Sequence, residues 1–193
     1  MQSLRHHHRR AACPLVLALA LIPGAQAAVA EAAPTPAAMP VLSAPECEVW
    51  MREMSFARSV AEHDAVAFAE HVDEQAAFAA SRPEPQRGRE RIAREWTDIV
   101  SGKGVRLEWY PTRVTLAGRP DIAWSSGPTL FEDLNPDAKQ RFHIGGFRSV
   151  WSRGADGVWR VMFDDGAGMV PASEEQVAAF RTGRRECTSL TSS

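Results

Sequence analysis

The sequence predicts an α+β domain in which three helical segments precede four strands of a bent, mainly antiparallel sheet, with helices covering one face. In the first half of the domain, apolar residues recur at spacings of three and four, as amphipathic helices require. From Val105 onward the period falls to two, which is typical of half-buried strands. Residues 141–166 contain two strand-like runs around Ala155-Asp156-Gly157, a pattern that predicts a β-hairpin with a three-residue loop.

Residues 1–27 have the layout of a secretory signal. A basic head is followed by the apolar run 11–22 and by Ala25-Gln26-Ala27, a small-residue cleavage site. The apolar run is shorter than the roughly 20 residues that a membrane-spanning helix needs. We therefore expect cleavage near Ala27 and an exported protein, periplasmic or secreted, with no membrane attachment afterwards.

Composition excludes several functions. Cleavage would remove three of the 22 basic residues and none of the 24 acidic ones, which leaves a net charge of −5 with His neutral. Such a chain lacks the basic patch that nucleic-acid binding requires, so we expect no nucleic-acid partner. The run His6-His7-His8 lies in the segment to be removed, and no other cluster has metal-ligand spacing. With no glycine-rich phosphate loop either, the sequence predicts neither a metal nor a cofactor.

The helices follow an Ala/Pro-rich leader, residues 28–44, which we expect to be extended and mobile. A first amphipathic helix is predicted from Pro45 to about residue 62, and Asp64 is a plausible N-cap for a second, shorter helix. Residues 75–79 suit a short strand. A third helix is predicted to begin near residues 87–90 and to end at Gly102 and Gly104.

The strands after residue 104 carry two interruptions. Pro111 separates the alternation of Val105, Leu107 and Trp109 from a new apolar phase at Val114, which predicts a bulge or sharp bend.

Gly127-Pro128 has the same effect in the next strand. It leaves Ile122 and Trp124 on one face and Phe131 on the other. Two consecutive broken strands predict a strongly curved sheet.

Two cysteines remain after cleavage, Cys47 and Cys187, and in an exported protein an even number of cysteines favours a disulfide. The C-terminal extension, residues 169–193, has a capping-box pattern at Ser173 and Gln176, so a short helix could bring Cys187 back toward Cys47. A bridge closing so long a loop could contribute roughly 4–5 kcal/mol. The alternatives are two free buried thiols or a reactive Cys187.

Symmetric pairing about Asp156 predicts the register of the hairpin. Trp151 would face Val161, and Arg148 would face Asp164 as a cross-strand ion pair, with anion binding by Arg148 as the alternative. In this register His143 lies roughly 17 Å from Asp164, beyond any hydrogen bond, which excludes a His–Asp dyad.

His143 shares the face of Phe147 and Trp151, so we expect it to point toward the helices, where a pocket would lie. It is the candidate general base; the alternative is a rim or core histidine whose nitrogens are hydrogen-bonded. The candidate ligand-binding residues are Trp96, Trp109, Trp124 and Phe147. These aromatic side chains form either an apolar pocket for a ring-shaped ligand or ordinary core packing.

Several short motifs, taken in order, resemble the nuclear transport factor 2-like superfamily, and within it the SnoaL-like group, domain of unknown function 4440. The resemblance covers residues 46–166. The motifs are Ser55-Phe56-Ala57-Arg58, His63-Asp64 to Phe68, Gly88-Arg89-Glu90 before Trp96, Trp109 with Pro111, Ser126-Gly127-Pro128, and residues 147–151 followed by 156–161.

This resemblance implies a cone-shaped fold for residues 45–168, in which the curved sheet wraps on the three N-terminal helices. It also implies an internal pocket for a small, largely apolar molecule and a homodimer formed through the sheet. Family members include isomerases and cyclases as well as proteins without known activity. The fold therefore does not determine whether this protein is an enzyme. The alternative is a non-enzymatic periplasmic interaction or structural dimer whose cavity is filled.

Overall fold

A computed structural model describes residues 41–187 of the chain. The predicted signal, residues 1–27, and residues 28–40 of the predicted leader lie outside this part. The helices are α1 Ala44–Ala61, α2 Ala65–His71, α3 Arg89–Glu95, α4 Thr97–Val100 and α5 Glu174–Gly183. The strands are β1 Val72–Phe78, β2 Gln86–Arg87, β3 Val105–Trp109, β4 Arg113–Leu116, β5 Ile122–Asp133, β6 Phe142–Arg153 and β7 Trp159–Pro171.

All seven strands form one strongly curled sheet in the order β2-β1-β7-β6-β5-β3, with β4 also paired to β5. The pairs are antiparallel except for β1 with β7, which run parallel. Helices α1 to α4 lie on the N-terminal side of the chain and pack on the inner face of this sheet. The predicted α+β arrangement is therefore confirmed.

Helix boundaries follow the expected capping chemistry. The Asp64 carboxylate accepts hydrogen bonds from the backbone N–H groups of Val66 and Ala67, at 3.1 and 2.9 Å, and so begins α2 as predicted. The predicted capping box of Ser173 and Gln176 begins α5. The third predicted helix is divided at Trp96, where α3 ends and α4 begins.

The bend at Pro111 is confirmed. Strands β3 and β4 both pair with β5. Between them the chain leaves this pairing at Tyr110 and Pro111, since proline has no N–H to donate, and it returns at Thr112, whose N–H donates to the Ser126 carbonyl at 2.8 Å. The bend brings the Tyr110 carbonyl so close to Gly127 that any side chain there would collide with it. Gly127 is thus required for the close approach of two backbones.

The predicted break of β5 at Gly127-Pro128 is wrong, because β5 pairs with β6 in one continuous register from Ile122 to Glu132. The buried face changes along this strand for a different reason. Near its far end α5 packs against β5 and β6, so Leu130 and Glu132 are buried although they point to the outer face. Cover by a helix accounts for the burial of this part of the outer face.

The β6–β7 hairpin closes at Gly157, whose φ of 77° lies in the left-handed region that glycine tolerates. Trp151 faces Val161 as predicted, but an irregularity between Val150 and Trp151 then shifts the register by one residue. The residue opposite Arg148 is consequently Asp165. The predicted pairing of Arg148 with Asp164 is wrong, because Asp164 lies on the inner face.

A disulfide joins Cys47 of α1 to Cys187 after α5, with 5.7 Å between the two Cα atoms, and confirms the predicted pairing. It closes a sequence separation of 140 residues. Leu42, in the predicted mobile leader, is only 4% exposed and packs into the core. The domain core between α1 and the inner sheet face includes Trp50, Phe56, Phe68, Phe78 and Trp151.

Candidate active site

A cavity of about 240 Å³ opens between the inner face of the sheet and the α3–α4 segment. Its walls are mostly apolar. The aromatic wall residues are Phe56, Trp96, Trp109, Phe131 and Phe147, and the aliphatic ones are Ile99, Leu107 and Met169. Among residues 41–187, the polar side chains of the cavity wall besides the indoles are those of Thr129 and Asp164.

Three of the four predicted ligand-binding residues, Trp96, Trp109 and Phe147, lie in the cavity wall. Trp124 does not, which corrects that part of the prediction. It projects from the outer face of β5, in one cross-strand row with Val150 and Phe163, and is 36% exposed. The cause is the continuous register of β5, which places Trp124 on the opposite face from Ser125.

Hydrogen bonds hold the two wall indoles in place. Trp109 Nε1 donates to Oε1 of Glu53 at 2.8 Å, and Trp96 Nε1 donates to the side-chain oxygen of Gln86 at 3.2 Å. The Phe56 ring packs edge-on against Trp109, with 5.2 Å between ring centroids. Because both indole N–H groups are satisfied by protein acceptors, the tryptophans present apolar surface to the cavity.

Asp164 is the titratable side chain in the cavity wall. Its Oδ2 accepts a hydrogen bond from Ser149 Oγ at 2.8 Å, and no hydrogen bond within residues 41–187 involves Oδ1. Burial raises the pKa of Asp164 to about 7, and the negative charges of Glu53 and Asp165 act in the same direction. A carboxyl group with such a pKa is present in both protonation states near neutral pH, which suits general acid–base chemistry.

Asp164 begins a polar row on the inner face of the sheet. Asp164, Ser149 and Ser125 are direct cross-strand neighbours on β7, β6 and β5. Ser125 Oγ donates to Oε2 of Glu53 at 2.6 Å, and Trp151 Nε1 donates to the same oxygen at 2.9 Å. The Asp164–Ser149 pair and the Ser125–Glu53 pair therefore lie side by side on the inner face.

Glu53 is fully buried, at 0% exposure, and burial raises its pKa. Sequence reasoning missed it, yet the pattern contains a signal. Residue 53 lies three after Trp50 and four before Ala57, on the apolar face of α1. A carboxylate at a core position of an amphipathic helix is rarely found unless it is paired, so it marks a polar network.

The cavity wall is shared with a polar groove of about 400 Å³ on the surface. The groove adds the charged side chains of Arg82, Glu95 and Asp165, and the residues that border both spaces are Trp96, Ile99, Asp164, Gly166 and Met169. Asp164 thus stands where an apolar interior meets a polar opening.

His143, the predicted general base, lies beside the cavity and not in its wall. Its ring packs edge-on against Phe131, with 6.2 Å between ring centroids. Its Nδ1 atom is buried without a hydrogen-bond partner in the described part of the chain. His143 pairs with Pro171, far along β7 from Asp164, so the structure does not bring these two side chains together.

Within residues 41–187, no three His, Cys, Asp or Glu side chains are placed to hold a metal ion. No helix in the same range is long and apolar enough to cross a membrane.

No protein-family model matches the sequence, and no curated protein matches it significantly. Solved structures do match. A nuclear transport factor 2-like superfamily protein from Salmonella enterica serovar Typhimurium LT2 is 18% identical with a TM-score of 0.52, over 67% of this chain and 93% of that one. A ketosteroid isomerase-like protein from Erwinia carotovora atroseptica SCRI1043 is 11% identical with a TM-score of 0.54, over 65% and 96%.

A third similar structure is a nuclear transport factor 2-like protein of unknown function from Pseudomonas putida KT2440. It is 13% identical with a TM-score of 0.54, over 71% of this chain and 94% of that one. These likenesses confirm the nuclear transport factor 2-like fold. The narrower assignment to domain of unknown function 4440 stays a prediction.

Proposed function

We propose that this protein binds a small, largely apolar molecule in the cavity and that Asp164 transfers a proton to or from it. The observation that carries the proposal is the position of Asp164, the one titratable side chain among the described residues of the cavity wall. The volume of about 240 Å³ is slightly below the roughly 300 Å³ at which ligand pockets usually begin. It suits a compound with one or two rings.

The chemistry follows from the surroundings of the carboxyl group. Ionised Asp164 removes a proton from a carbon next to a carbonyl group, and the protonated form returns it to another position. Thr129 lines the cavity, and its hydroxyl group, which donates to Met169 Sδ at 3.7 Å, can turn from this weak acceptor to donate to the carbonyl oxygen. Apolar walls exclude water and strengthen both interactions. Similarity to a ketosteroid isomerase-like structure agrees with proton transfer of this kind.

Binding can be tested with a panel of phenols and cyclic ketones, followed by the fluorescence of the wall tryptophans. Gly166→Val should abolish binding, because Gly166 lines the cavity and has open space for a Cβ. Gly118→Val is the matched control, since Gly118 also has open space and lies outside the cavity wall. If both variants bind every compound as the wild type does, the ligand site is elsewhere.

Proton transfer can be tested by hydrogen–deuterium exchange next to the carbonyl of a bound cyclic ketone in D₂O. Asp164→Asn should slow this exchange by about 100-fold or more while binding is retained. His143→Phe tests the alternative base. Full exchange in Asp164→Asn together with loss in His143→Phe would transfer the role to His143.

Export is the second part of the proposal. The signal layout of residues 1–27 supports it, and so does the disulfide, since such bonds persist in oxidising compartments. Fractionation of cells producing the full chain should place the mature protein, shortened by about the length of the signal, outside the cytoplasm. An uncleaved cytoplasmic protein would contradict export.

A second candidate function is that of an interaction module built on a homodimer, and the outer face of the sheet favours it. Trp124, Val150 and Phe163 form an apolar cross-strand row there, and Phe163 is 44% exposed. The adjacent row holds Arg148 opposite Asp165, so a two-fold axis could bring unlike charges of two copies together.

Light scattering tests the dimer. Phe163→Lys should give a monomer if two copies pair through this face. Val66→Lys, which changes a 71% exposed residue on α2, should leave the dimer intact. A wild-type monomer at high micromolar concentration would contradict this candidate.

A further inference from the structure

We infer that the ligand carries a carboxylate group, which Arg82 binds in the polar groove while the apolar ring of the ligand lies in the cavity. The inference deepens the proposed function and rests on the cavity being the ligand site. It names a substrate class, ring compounds with an acidic side arm, and it makes Arg82 a specificity-determining residue.

The cavity and the groove adjoin and differ in character. The cavity of about 240 Å³ has mostly apolar walls, the groove of about 400 Å³ is polar, and Asp164 and Met169 are among the residues that border both. The cavity alone is smaller than the roughly 300 Å³ at which ligand pockets usually begin, and the groove supplies further room. A ligand that fills both spaces has an apolar end and a polar end.

Backbone hydrogen bonds hold the turn that carries Arg82 against the start of the groove. The Ala80 N–H donates to the Asp164 carbonyl at 3.3 Å. The Ser81 N–H donates to Oδ2 of Asp165 at 3.1 Å. Because both bonds tie the turn to β7, Arg82 lies in the same groove as Asp164, at the polar end of the combined space.

The turn also has a strained backbone. Ala79, whose carbonyl accepts the Arg82 N–H at 2.9 Å, has a φ of 52°, in the left-handed region that favours glycine. Such a conformation persists only where the surrounding structure fixes it, and it is found most often at functional sites. This agrees with a binding role for the groove, which Ala79 and Arg82 both line.

The guanidinium group of Arg82 forms no ion pair with any residue in the part of the chain that the structure describes. The neighbouring carboxylates of the groove have other partners, since Glu95 pairs with Arg91 and Asp165 accepts the Ser81 N–H. An arginine presents its N–H donors as a planar fork that matches a carboxylate. A ligand carboxylate is therefore the complement of this side chain.

A ligand with a positive charge is the alternative, because the carboxyl groups of Asp164, Asp165 and Glu95 also line the groove. An ammonium group would compete with the existing partners of Glu95 and Asp165. Asp164, whose pKa burial raises to about 7, carries no full charge near neutral pH. A carboxylate, in contrast, displaces no protein partner from Arg82, so the contacts favour an acid over an amine.

Three ligands with the same ring and different ends test the inference: phenylpropionate, phenylpropanol and phenylpropylamine. Calorimetric titration at about pH 6 should give a dissociation constant about fivefold lower for the acid than for the alcohol, since a charge-assisted bond to an exposed arginine is of modest strength. At this pH the acid is ionised and Asp164, whose pKa is about 7, is mostly protonated. The amine should bind least tightly, and added salt should reduce the preference for the acid.

Arg82→Gln should remove the preference, so that the acid and the alcohol bind with equal dissociation constants. Arg87→Gln is the matched control. Arg87 is likewise an exposed arginine, but it lies outside both the cavity and the groove that holds Arg82. This variant should bind the acid more tightly than the alcohol, as the wild type does.

The alcohol separates the inference from the proposed function, because its binding depends on the cavity and not on charge. Three results would overturn the inference and leave the proposed function standing. They are equal binding of acid and alcohol by the wild type, tightest binding of the amine, and a preference for the acid that survives in Arg82→Gln. A wild-type protein that binds none of the three compounds would contradict both.

Discussion

The indole Nε1 of Trp109 donates to Oε1 of Glu53 over 2.8 Å, and this bond joins the cavity wall to the buried carboxyl of α1. Because Glu53 is inaccessible to water, no solvent molecule can replace the donor when it is lost. Trp109 in the cavity wall and Ser125 and Trp151 behind it are therefore held by the same carboxyl group.

Trp109→Phe should accordingly lower the free energy of unfolding by about 1–3 kcal/mol, since a buried acceptor loses its partner. Trp159→Phe is the matched control. Trp159 Nε1 donates at 3.2 Å to Glu48, whose side chain is 44% exposed, so water can take over that bond. Urea unfolding gives the free energy of unfolding of both variants. An equal decrease in the two would contradict the claim that water cannot replace the indole donor at Glu53.

The contribution of Asp164 to stability should fall as pH rises to about 7. The pKa of Asp164 is about 7 in the folded chain against an ordinary value of 3.8, so the folded state binds the proton more tightly. Its stabilising contribution is complete below the unfolded pKa and is lost as pH rises through about 7. Asp164→Asn should therefore show a smaller loss of stability between about pH 5 and about pH 8 than the wild type.

Asp156→Asn provides the control for this measurement. The Arg160 side chain lowers the pKa of Asp156 to about 2, so its contribution is present above the unfolded pKa and disappears in acid. In this variant the change in the free energy of unfolding between about pH 5 and about pH 8 should equal that of the wild type. If both variants reduced the pH dependence of the free energy of unfolding equally, that dependence would not come from Asp164.

His143→Phe should stabilise the protein or leave its stability unchanged. Nδ1 of His143 is buried without a partner in the described chain, and an apolar ring of similar shape removes that polar atom. His71→Phe should destabilise it, because the His71 nitrogens lie 2.6 Å from the Ala67 carbonyl and 3.1 Å from Ser55 Oγ. Thermal unfolding measures the stability of both variants. An unfolding temperature lower for His143→Phe than for His71→Phe would contradict this prediction.

Reduction of the disulfide should destabilise the domain by up to about 4–5 kcal/mol in the chain-entropy model, because the loop it closes is long. Urea unfolding with and without reductant gives the value, and Cys47→Ser/Cys187→Ser should match the reduced protein. Alkylation without reductant should label neither Cys47 nor Cys187 in the mature protein, whereas labelling of both would contradict the bond.

The hairpin shows how far local patterns predict this structure. The turn at Gly157 and the pair Trp151–Val161 were predictable, since a glycine at the left-handed position and alternating apolar residues mark them. The extra residue of β7 near Met162 was not, because no glycine or proline accompanies it. That single residue moves Asp164 from a surface pair with Arg148 to the inner row beside Ser149.

Other differences have nonlocal causes. Trp124 looked like an interior residue because Gly127-Pro128 predicts a break in β5, whereas pairing with β6 keeps this strand continuous. Glu53, in contrast, stood in the apolar stripe of α1 and could have been recognised as a buried carboxyl. Its partner Ser125 could not, and neither could the adjacent Ser149, because small polar residues on a strand are common and only the register brings them together.

The disulfide between α1 and the segment after α5 has a topological consequence. With 5.7 Å between the Cα atoms of Cys47 and Cys187, the backbone from one cysteine to the other begins and ends at nearly the same point. A short peptide linker could replace the sulfur bridge, and new ends could be opened in the exposed turn at residues 135–138 between β5 and β6. The fold is in this sense suited to circular permutation, with the cavity and the polar row left intact on the strands that do not change.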